Sequence, residues 1–434
     1  MASRASARRS ALVVGIAATA LGLNMVGVSA QSPALPAAGS AGTVTLGSYQ
    51  SDDVPKQALQ AGIDYCEEQT GLSVTVNTVN HGDFQNAITS YLQATPDDVF
   101  TWFAGFRLKY FADQGLIAPI DDVWATVGSN YSDGFAKAVT GNDGKIYMIP
   151  WGNYPWVVMY RKSLFDSKGY TVPTTWDEFA TIADQMKADG LIPMAFADTD
   201  GWPAMGTFDI LNMRINGYQF HVDLMAGNEK WTDPRVTAVF EAWKKLLPYY
   251  PDGSLGMTWQ EGAQQLMTDP QKAGMYFLGT FATQQATDPA VAADIDFFPF
   301  PTMGTDYDAE LGIDAPIDGF ALSAKAQNPD GGKLLLACLS TGAAQNKILA
   351  VDPSNVGAAN DVDTSGYTEL QKKQAELIGQ SHAIAQFLDR DTVPAFAGPN
   401  GMQGLLQTFL SDPDQDLAAY QQTIQDAWDT LSVQ

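Results

Sequence analysis

The chain has 434 residues, 45% hydrophobic and 17% charged, a globular composition with length for two or three domains and a sizeable core. Its net charge of -25 and pI near 4.2 argue against nucleic acid and against anionic membrane as partners.

The N-terminus reads as an export signal. Arg4, Arg8 and Arg9 form a basic start, and Ala11 to Val28, "ALVVGIAATALGLNMVGV", is apolar. Val28-Ser29-Ala30 offers the small residues a signal peptidase reads, so residues 1–30 are expected to be removed rather than kept as an anchor. Arg8-Arg9 leaves both the Sec and the twin-arginine routes open. No Cys stands near the cut, which excludes a lipid anchor on a mature N-terminal Cys. The remaining chain would carry 21 basic against 49 acidic residues, a net charge of about -28. Residues 31–42, "QSPALPAAGSAG", read as a flexible leader.

Gly42 to Tyr49 alternates as a strand, Val54 to Gln69 has helical spacing with Gly71 as its stop, and Leu72 to Val79 is a second strand. Asp83 to Ala94 is a helix and Asp98 to Phe103 a third strand. Such alternation makes an α/β unit with a parallel sheet, whose ligands bind beyond the carboxyl ends of the strands. Tyr49-Gln50, His81-Gly82-Asp83 and Trp102-Phe103 fall there.

Phe106 to Gly115 is a short helix, Asn142 to Met148 a turn and strand, and Trp151 to Tyr160 a strand-like run that Pro155 marks as a boundary or edge. In "PTTWDEFATIADQMKADG", Thr175 caps a helix with Asp177 and Glu178 in its first turn and Gly190 as its stop. "IPMAFAD" is a strand, "TDGWPAMG" a loop, and "DPRVTAVFEAWKKLLPYY" an amphipathic helix. "KAGMYFLGTFA" is a strand ending in a loop, "IDFFPFP" is extended, and "APIDGFALSA" is a strand with a polar start. Helices follow over Gly332 to Leu349, Gly366 to Ile378 and Asp414 to Leu431.

Cys66 and Cys338 lie on apolar helical faces. A disulfide is allowed outside the cytoplasm, but so wide a separation does not predict one, and two buried thiols are expected. His81, His221 and His382 show no metal spacing, no metal or cofactor motif is present, and none is expected. "DPDQD" at 412–416 lacks the Gly and final Glu of a calcium loop and reads as a helix cap.

Four segments carry a resemblance: "YRKSLFDSKGYTVPTTWDEFATIADQMKADG", "KAGMYFLGTFA", "APIDGFALSAKAQNPDGGKLLLACLSTGAAQNKIL" and "FLDRDTVPAFAG". In these segments and their order the chain resembles the extracellular solute-binding proteins of bacterial ABC sugar importers, the family-1 group that includes maltose-binding protein. The resemblance implies an α/β, two-lobed periplasmic-binding-protein fold of type II, with a ligand cleft between lobes joined by hinge crossings. Residues 43–154 with 316–355 would form one lobe, and residues 156–312 with 360–434 the other. It also implies a monomer outside the cytoplasm, periplasmic or extracellular, that captures a mono- or oligosaccharide and delivers it to permease subunits in the membrane.

A sugar site needs aromatic faces for the C–H side of a pyranose and planar polar groups for its hydroxyls. Trp102 is the expected platform of the first lobe, while Phe103 suits core packing. His81, in "NHGDF", is a ligand hydrogen-bonder, and Asp83 either joins it or caps the following helix. Tyr49 and Gln50 occupy the first strand-to-helix loop. On the second lobe Asp200 and Trp202 form a polar-aromatic loop, with Trp202 the opposing face. Asn153 and Tyr154 sit at the first crossing, Thr280 and Phe281 follow "MYFLG", Asp318 lies at the return crossing, and Arg390 or Asp391 in the late loop. An Arg390–Asp391 neighbourhood could equally be a surface ion pair. Trp151, Trp156, Trp176, Trp231, Trp243 and Trp259 are assigned to core or surface.

No catalytic residues are expected. A secreted glycoside-active enzyme would share the aromatic cleft but need two rigidly placed carboxyl groups, and here the acids are scattered across moving lobes. A binding protein for a polyol or polyamine keeps the fold and changes the ligand, and the mixture of amides and aromatics leans to sugar.

Overall fold

The structure is a computed structural model that describes residues 42–432; the expected signal segment and all but the last residue of the expected leader lie outside the described residues. Its strands, in chain order, are β1 Thr43–Ser48, β2 Ser73–Thr78, β3 Val99–Phe103, β4 Ile117–Ala118, β5 Met148–Asn153, β6 Trp156–Arg161, β7 Ile192–Ala195, β8 Ala273–Gly279, β9 Ile295–Phe298, β10 Ile313–Asp314, β11 Ile317–Ser323, β12 Val356–Gly357 and β13 Ile384–Ala385.

The first sheet runs β12-β5-β11-β3-β1-β2, with β4 paired to β11. β1 pairs parallel with β2 and β3, as the alternating α/β pattern requires, and β11 pairs antiparallel with β3 and β5. Edge strand β2 shows the alternating half-burial of a strand with one wet face, whereas central β3, "VFTWF", is buried at every position. The second sheet runs β7-β8-β6-β9, and β10 pairs with β13 in a separate ribbon.

Two apolar cores follow. One gathers residues between Val44 and Trp151 and between Ile317 and Tyr367 around the first sheet. The other gathers residues between Tyr154 and Ala315 and between Leu377 and Ile424 around the second. We call these bodies the first and second lobes. Trp151 to Tyr160, expected as one run with a break, is two strands in different sheets, and Tyr154-Pro155 carries the chain across.

The helix Trp176–Ala188 starts as expected, with Thr175 and Glu178 closing a reciprocal capping box. Two expectations are corrected. The run read as one helix over 332–349 is two, Pro329–Leu339 and Gly342–Val351, meeting at 72° because Thr341 caps the second one on the amide of Ala344. The "TDGWPAMG" loop ends early, because Pro203 opens the helix Pro203–Asn216 at the one place where a helix tolerates its missing N–H.

The cysteines are also corrected. Cys66 and Cys338 form a disulfide across a sequence separation of 272 residues. It joins the helix Asp53–Thr70 to Pro329–Leu339, two helices that pack on the same sheet although they are distant in sequence.

Candidate functional site

A cleft of about 920 Å³ opens between the lobes, walled by the loops that leave β1 and β2, by Arg107 and Tyr110 on the helix Phe106–Asp113 after β3, by residues flanking β6 and β8, and by the chain at 316–318, 352–355 and 387–407. It lies beyond the carboxyl ends of the parallel strands, where the topology places ligands.

Its polar side is organised around Arg390. This side chain is only 5% exposed, and its guanidinium lies over Phe103 at 3.8 Å from the ring centroid. Nη1 donates to Asp318 at 2.8 Å and Nη2 to the Tyr154 hydroxyl at 2.9 Å. Asp318 reaches the cleft from a register shift in β11 between Asp318 and Gly319. Only glycine fits after it, since a Cβ on Gly319 would stand 2.5 Å from the Ile149 carbonyl oxygen.

Arg390 sits on the short helix Leu388–Asp391, which begins after Phe387 at φ 104°, a backbone state that bulky residues avoid. Tertiary contacts hold it there. Phe387 stacks on Trp156 at 4.8 Å, and the amide of Leu388 donates to buried Asp209 at 2.7 Å.

A second buried arginine, Arg107, lies beside the first. Its Nη1 donates to Gln85 Oε1 at 2.8 Å and pairs with Asp389 Oδ2 at 3.4 Å. With its oxygen so engaged, the Gln85 amide nitrogen faces His81 Nε2 at 2.6 Å, which makes that ring nitrogen the acceptor. His81 is therefore neutral. Burial, then Arg390 and Arg107, lower its pKa to about 3. Burial raises Asp318 and Asp389 from the ordinary carboxylate value, and the neighbouring arginines oppose that rise.

The opposite side is aromatic. Trp202 meets Trp156 edge to face at 6.1 Å, Trp259 meets Phe281 at 5.2 Å, and Phe281 meets Tyr154 at 5.2 Å. At one end Asp352 accepts from Gln284 Nε2 at 2.8 Å and Asn355 Nδ2 at 3.0 Å. Gln260 Nε2 donates to Asp52 at 3.2 Å, joining the second lobe to the first. Burial, then Asp52, raise the pKa of Asp200.

Three polar atoms on cleft-lining residues are buried without a hydrogen-bond partner, Arg107 Nε, Trp156 Nε1 and Asn355 Oδ1, while Asp389 Oδ1 and Arg390 Nε meet each other only as an ion pair at 3.7 Å. Native proteins leave few such groups, because each costs about 1–3 kcal/mol or more when charged. Among the described residues no group of three or more His, Cys, Asp or Glu side chains could hold a metal ion.

Of the residues expected from sequence, the cleft brings together Tyr49, Gln50, His81, Tyr154, Asp200, Trp202, Phe281, Asp318 and Arg390. Four fall elsewhere. Trp102 is fully buried between Phe84 and Phe111, because helices cover that face of β3, and it serves the site only as the ring beneath Arg107 at 5.4 Å. Thr280 is buried and donates to the Ser354 carbonyl oxygen at 2.9 Å. Asn153 is held inside β5, paired with Ile317 and Val356. Asp83 is exposed in the first turn of the helix His81–Gln93, whose cap is Asn80. Arg390 is no surface ion pair, and its partners are Asp318 and Asp389 rather than Asp391. Sequence reasoning missed Arg107, Asp389, Trp156 and Trp259, and only Trp259 carried a local signal, an aromatic directly after the capping residue Thr258.

The family model described as "Bacterial extracellular solute-binding protein" matches residues 49–346. The chain is 44% identical to the bacterial solute receptor AcbH, whose crystal structures and biochemistry are described as revealing an exclusive substrate preference for β-D-galactopyranose. That superposition has a TM-score of 0.87 and covers 90% of this chain and 99% of the other. A chitin oligosaccharide binding protein, 23% identical, shares the fold at a TM-score of 0.80 over 91% of this chain and all of its own. An uncharacterised ABC transporter extracellular-binding protein of Pyrococcus horikoshii is 24% identical over 75% of this chain and 71% of that protein.

Proposed function

The chain belongs to the bacterial extracellular solute-binding proteins, the substrate-binding components of ABC transporters, and from that premise we propose that its ligand is a pyranose sugar of the galactopyranose class, bound intact between the lobes. The two-sided lining of the cleft, polar side chains such as Gln50, Gln85 and Arg390 on one side and aromatic rings on the other, carries this reading. The polar side offers both donors and acceptors, which suits a ligand rich in hydroxyls. The facing Trp202, Trp259 and Phe281 supply the apolar surface that the C–H face of a pyranose requires. The preference described for AcbH makes D-galactose the first sugar to test.

In this reading the lobes close by hinge motion at the crossings near Tyr154-Pro155, Ala315-Pro316 and Asp352–Asn355, and a membrane permease recognises the closed form. The protein works outside the cytoplasm as a monomer and without catalysis. Asp318 and Asp389 support the last point, because each is engaged by a buried arginine rather than poised as an acid or a nucleophile. A cleft of about 920 Å³ favours a second reading, an oligosaccharide whose further rings extend along the aromatic wall.

The test is a titration of intrinsic Trp fluorescence with D-galactose, other hexoses and oligosaccharides, each mixture then assayed for product. A saturable change with the sugar recovered intact is expected, and tighter binding of a longer chain selects the second reading. Silence toward every sugar overturns the ligand class, and product formation overturns the non-catalytic role.

A further inference from the structure

We propose that Asp209 and Asp314 form a proton-holding pair that positions the chain carrying Asp318 and Arg390 into the cleft, and that sugar affinity falls as this pair ionises at alkaline pH. The change in affinity rests on the sugar-binding reading above; the ordering of the chain by the pair does not.

The pair sits where two cleft-bound segments begin. Asp314 ends β10, and the chain leaves it through Ala315-Pro316 to Asp318. β10 pairs with β13, with Asp314 opposite Ala385, and β13 leads through Gln386 and Phe387 to Arg390. Asp209 lies on the helix Pro203–Asn216, which packs against β10, and its Oδ2 accepts from the Leu388 amide at 2.7 Å. Asp318 and Arg390, which meet at 2.8 Å, thus start from one ribbon, with Asp314 in it and Asp209 bonded to the turn that follows it.

Neither carboxyl has the partners an anion needs. Both residues are 0% exposed, and Asp209 Oδ1 and both oxygens of Asp314 are buried without a hydrogen-bond partner. The charged and titratable groups around them do not supply one. Arg214 directs Nη1 to the Gly312 carbonyl oxygen at 2.6 Å and Nη2 to that of Phe300 at 3.0 Å, and Arg390 directs its Nη atoms to Asp318 and Tyr154. The Asn212 oxygen is taken by Asn216, so the Asn212 amide nitrogen donates to His221 Nδ1 at 3.2 Å. That leaves His221 Nε2 3.9 Å from Asp209 Oδ1, beyond hydrogen-bond reach, on a ring kept neutral by burial. Asp389 and Asp391 add like charge.

A proton is the one neutralising group that needs no further space in so packed a place. Burial, then Asp314, hold Asp209 well above the ordinary carboxylate range, and burial, then Asp391, do the same for Asp314. The set chain therefore keeps protons that a loosened, hydrated chain gives up, so rising pH favours the loosened one. Galactose itself carries no group that titrates near neutrality.

The experiment follows D-galactose binding and amide hydrogen exchange of residues 384–391 from about pH 6 to about pH 9.5, in the unmodified protein, Asp314→Asn and Asp209→Asn. Asparagine keeps the shape and an acceptor oxygen but cannot ionise. Affinity of the unmodified protein is expected to fall with rising pH, approaching about tenfold per pH unit for one proton released. Each substitution is expected to flatten that decline, and comparison at the same pH cancels other titrating groups such as Asp198. A pH-independent affinity in the unmodified protein overturns the inference without any variant. A decline that keeps its full slope in both variants, their affinities offset equally at every pH, overturns it too and leaves the pair a structural element. Should one variant fail to fold, the other decides. If no sugar binds at any pH, the sugar reading falls and exchange alone decides the pair. Faster exchange of residues 384–391 in the unmodified protein than in either variant at the alkaline end only supports it, and equal exchange at both ends overturns it.

Discussion

The Arg390 guanidinium, carried by the turn against the second core, lies 3.8 Å over the ring of Phe103, at the end of a central strand of the first. Phe103 is fully buried, so it never meets ligand, yet it sets the plane of the group that holds Asp318 and Tyr154. Phe103→Leu is expected to weaken sugar binding by about three- to thirtyfold, in line with about 0.5–2 kcal/mol for a cation over a ring. Titration of the folded variant checks it, and unchanged affinity would show that Asp318 and Tyr154 hold the arginine alone.

Trp102 and Trp259 should behave oppositely. Trp102→Phe is expected to lower stability by about 1–3 kcal/mol while leaving affinity within about threefold, because the ring is core. Trp259→Ala, on the aromatic wall, is expected to weaken binding on the order of ten- to a hundredfold. Denaturant unfolding and sugar titration of both variants separate the roles, and a large affinity loss in Trp102→Phe would restore it as a platform.

Reducing the Cys66–Cys338 disulfide frees a connection that spans 272 residues of sequence. Both ends lie in the first lobe, so a loss of about 2–4 kcal/mol in unfolding free energy is expected with sugar affinity unchanged. Paired unfolding and titration experiments with and without reductant test this, and a loss of affinity would link the bridge to the cleft.

Asp198 is fully buried at the approach to the Trp202 loop, and its Oδ1 accepts from the Ala204 amide at 2.8 Å. Burial, then Asp200, raise its pKa from 3.8 to about 7. Between these values the folded chain holds a proton that the unfolded chain has lost, so this group's contribution to stability falls as pH rises from 3.8 to about 7. Asp198→Asn removes the penalty and should stabilise by about 2–4 kcal/mol at pH 8 but little at pH 4. Thermal or denaturant unfolding at both values checks it, and an equal effect at the two would show that the carboxyl does not titrate there.

The local grammar of the chain was legible: the β1 to β3 alternation, the Thr175–Glu178 cap and the break at Pro155 all stand where their residues place them. That Tyr49 and Phe281 line the cleft was legible for the same reason, since each closely follows a strand end. Trp102 misled because strand-end position does not say which layer covers a face, and here Phe84 and Phe111 cover it. Asp389 and Arg107 were invisible because their meaning lies in a pairing across 282 residues of sequence. Cys66 and Cys338 were misread on the same ground, since only the packing of their two helices brings them together.

The sheet order has a consequence for synthesis. β11 lies between β3 and β5, yet it is made after β6, β7, β8 and β9 of the other sheet. While the ribosome is still building the second sheet, the first has a gap at its centre. The second core in turn waits for residues as late as Ile424. Neither lobe can therefore be finished until most of the chain has been made, so the two lobes complete late and nearly together rather than one after the other.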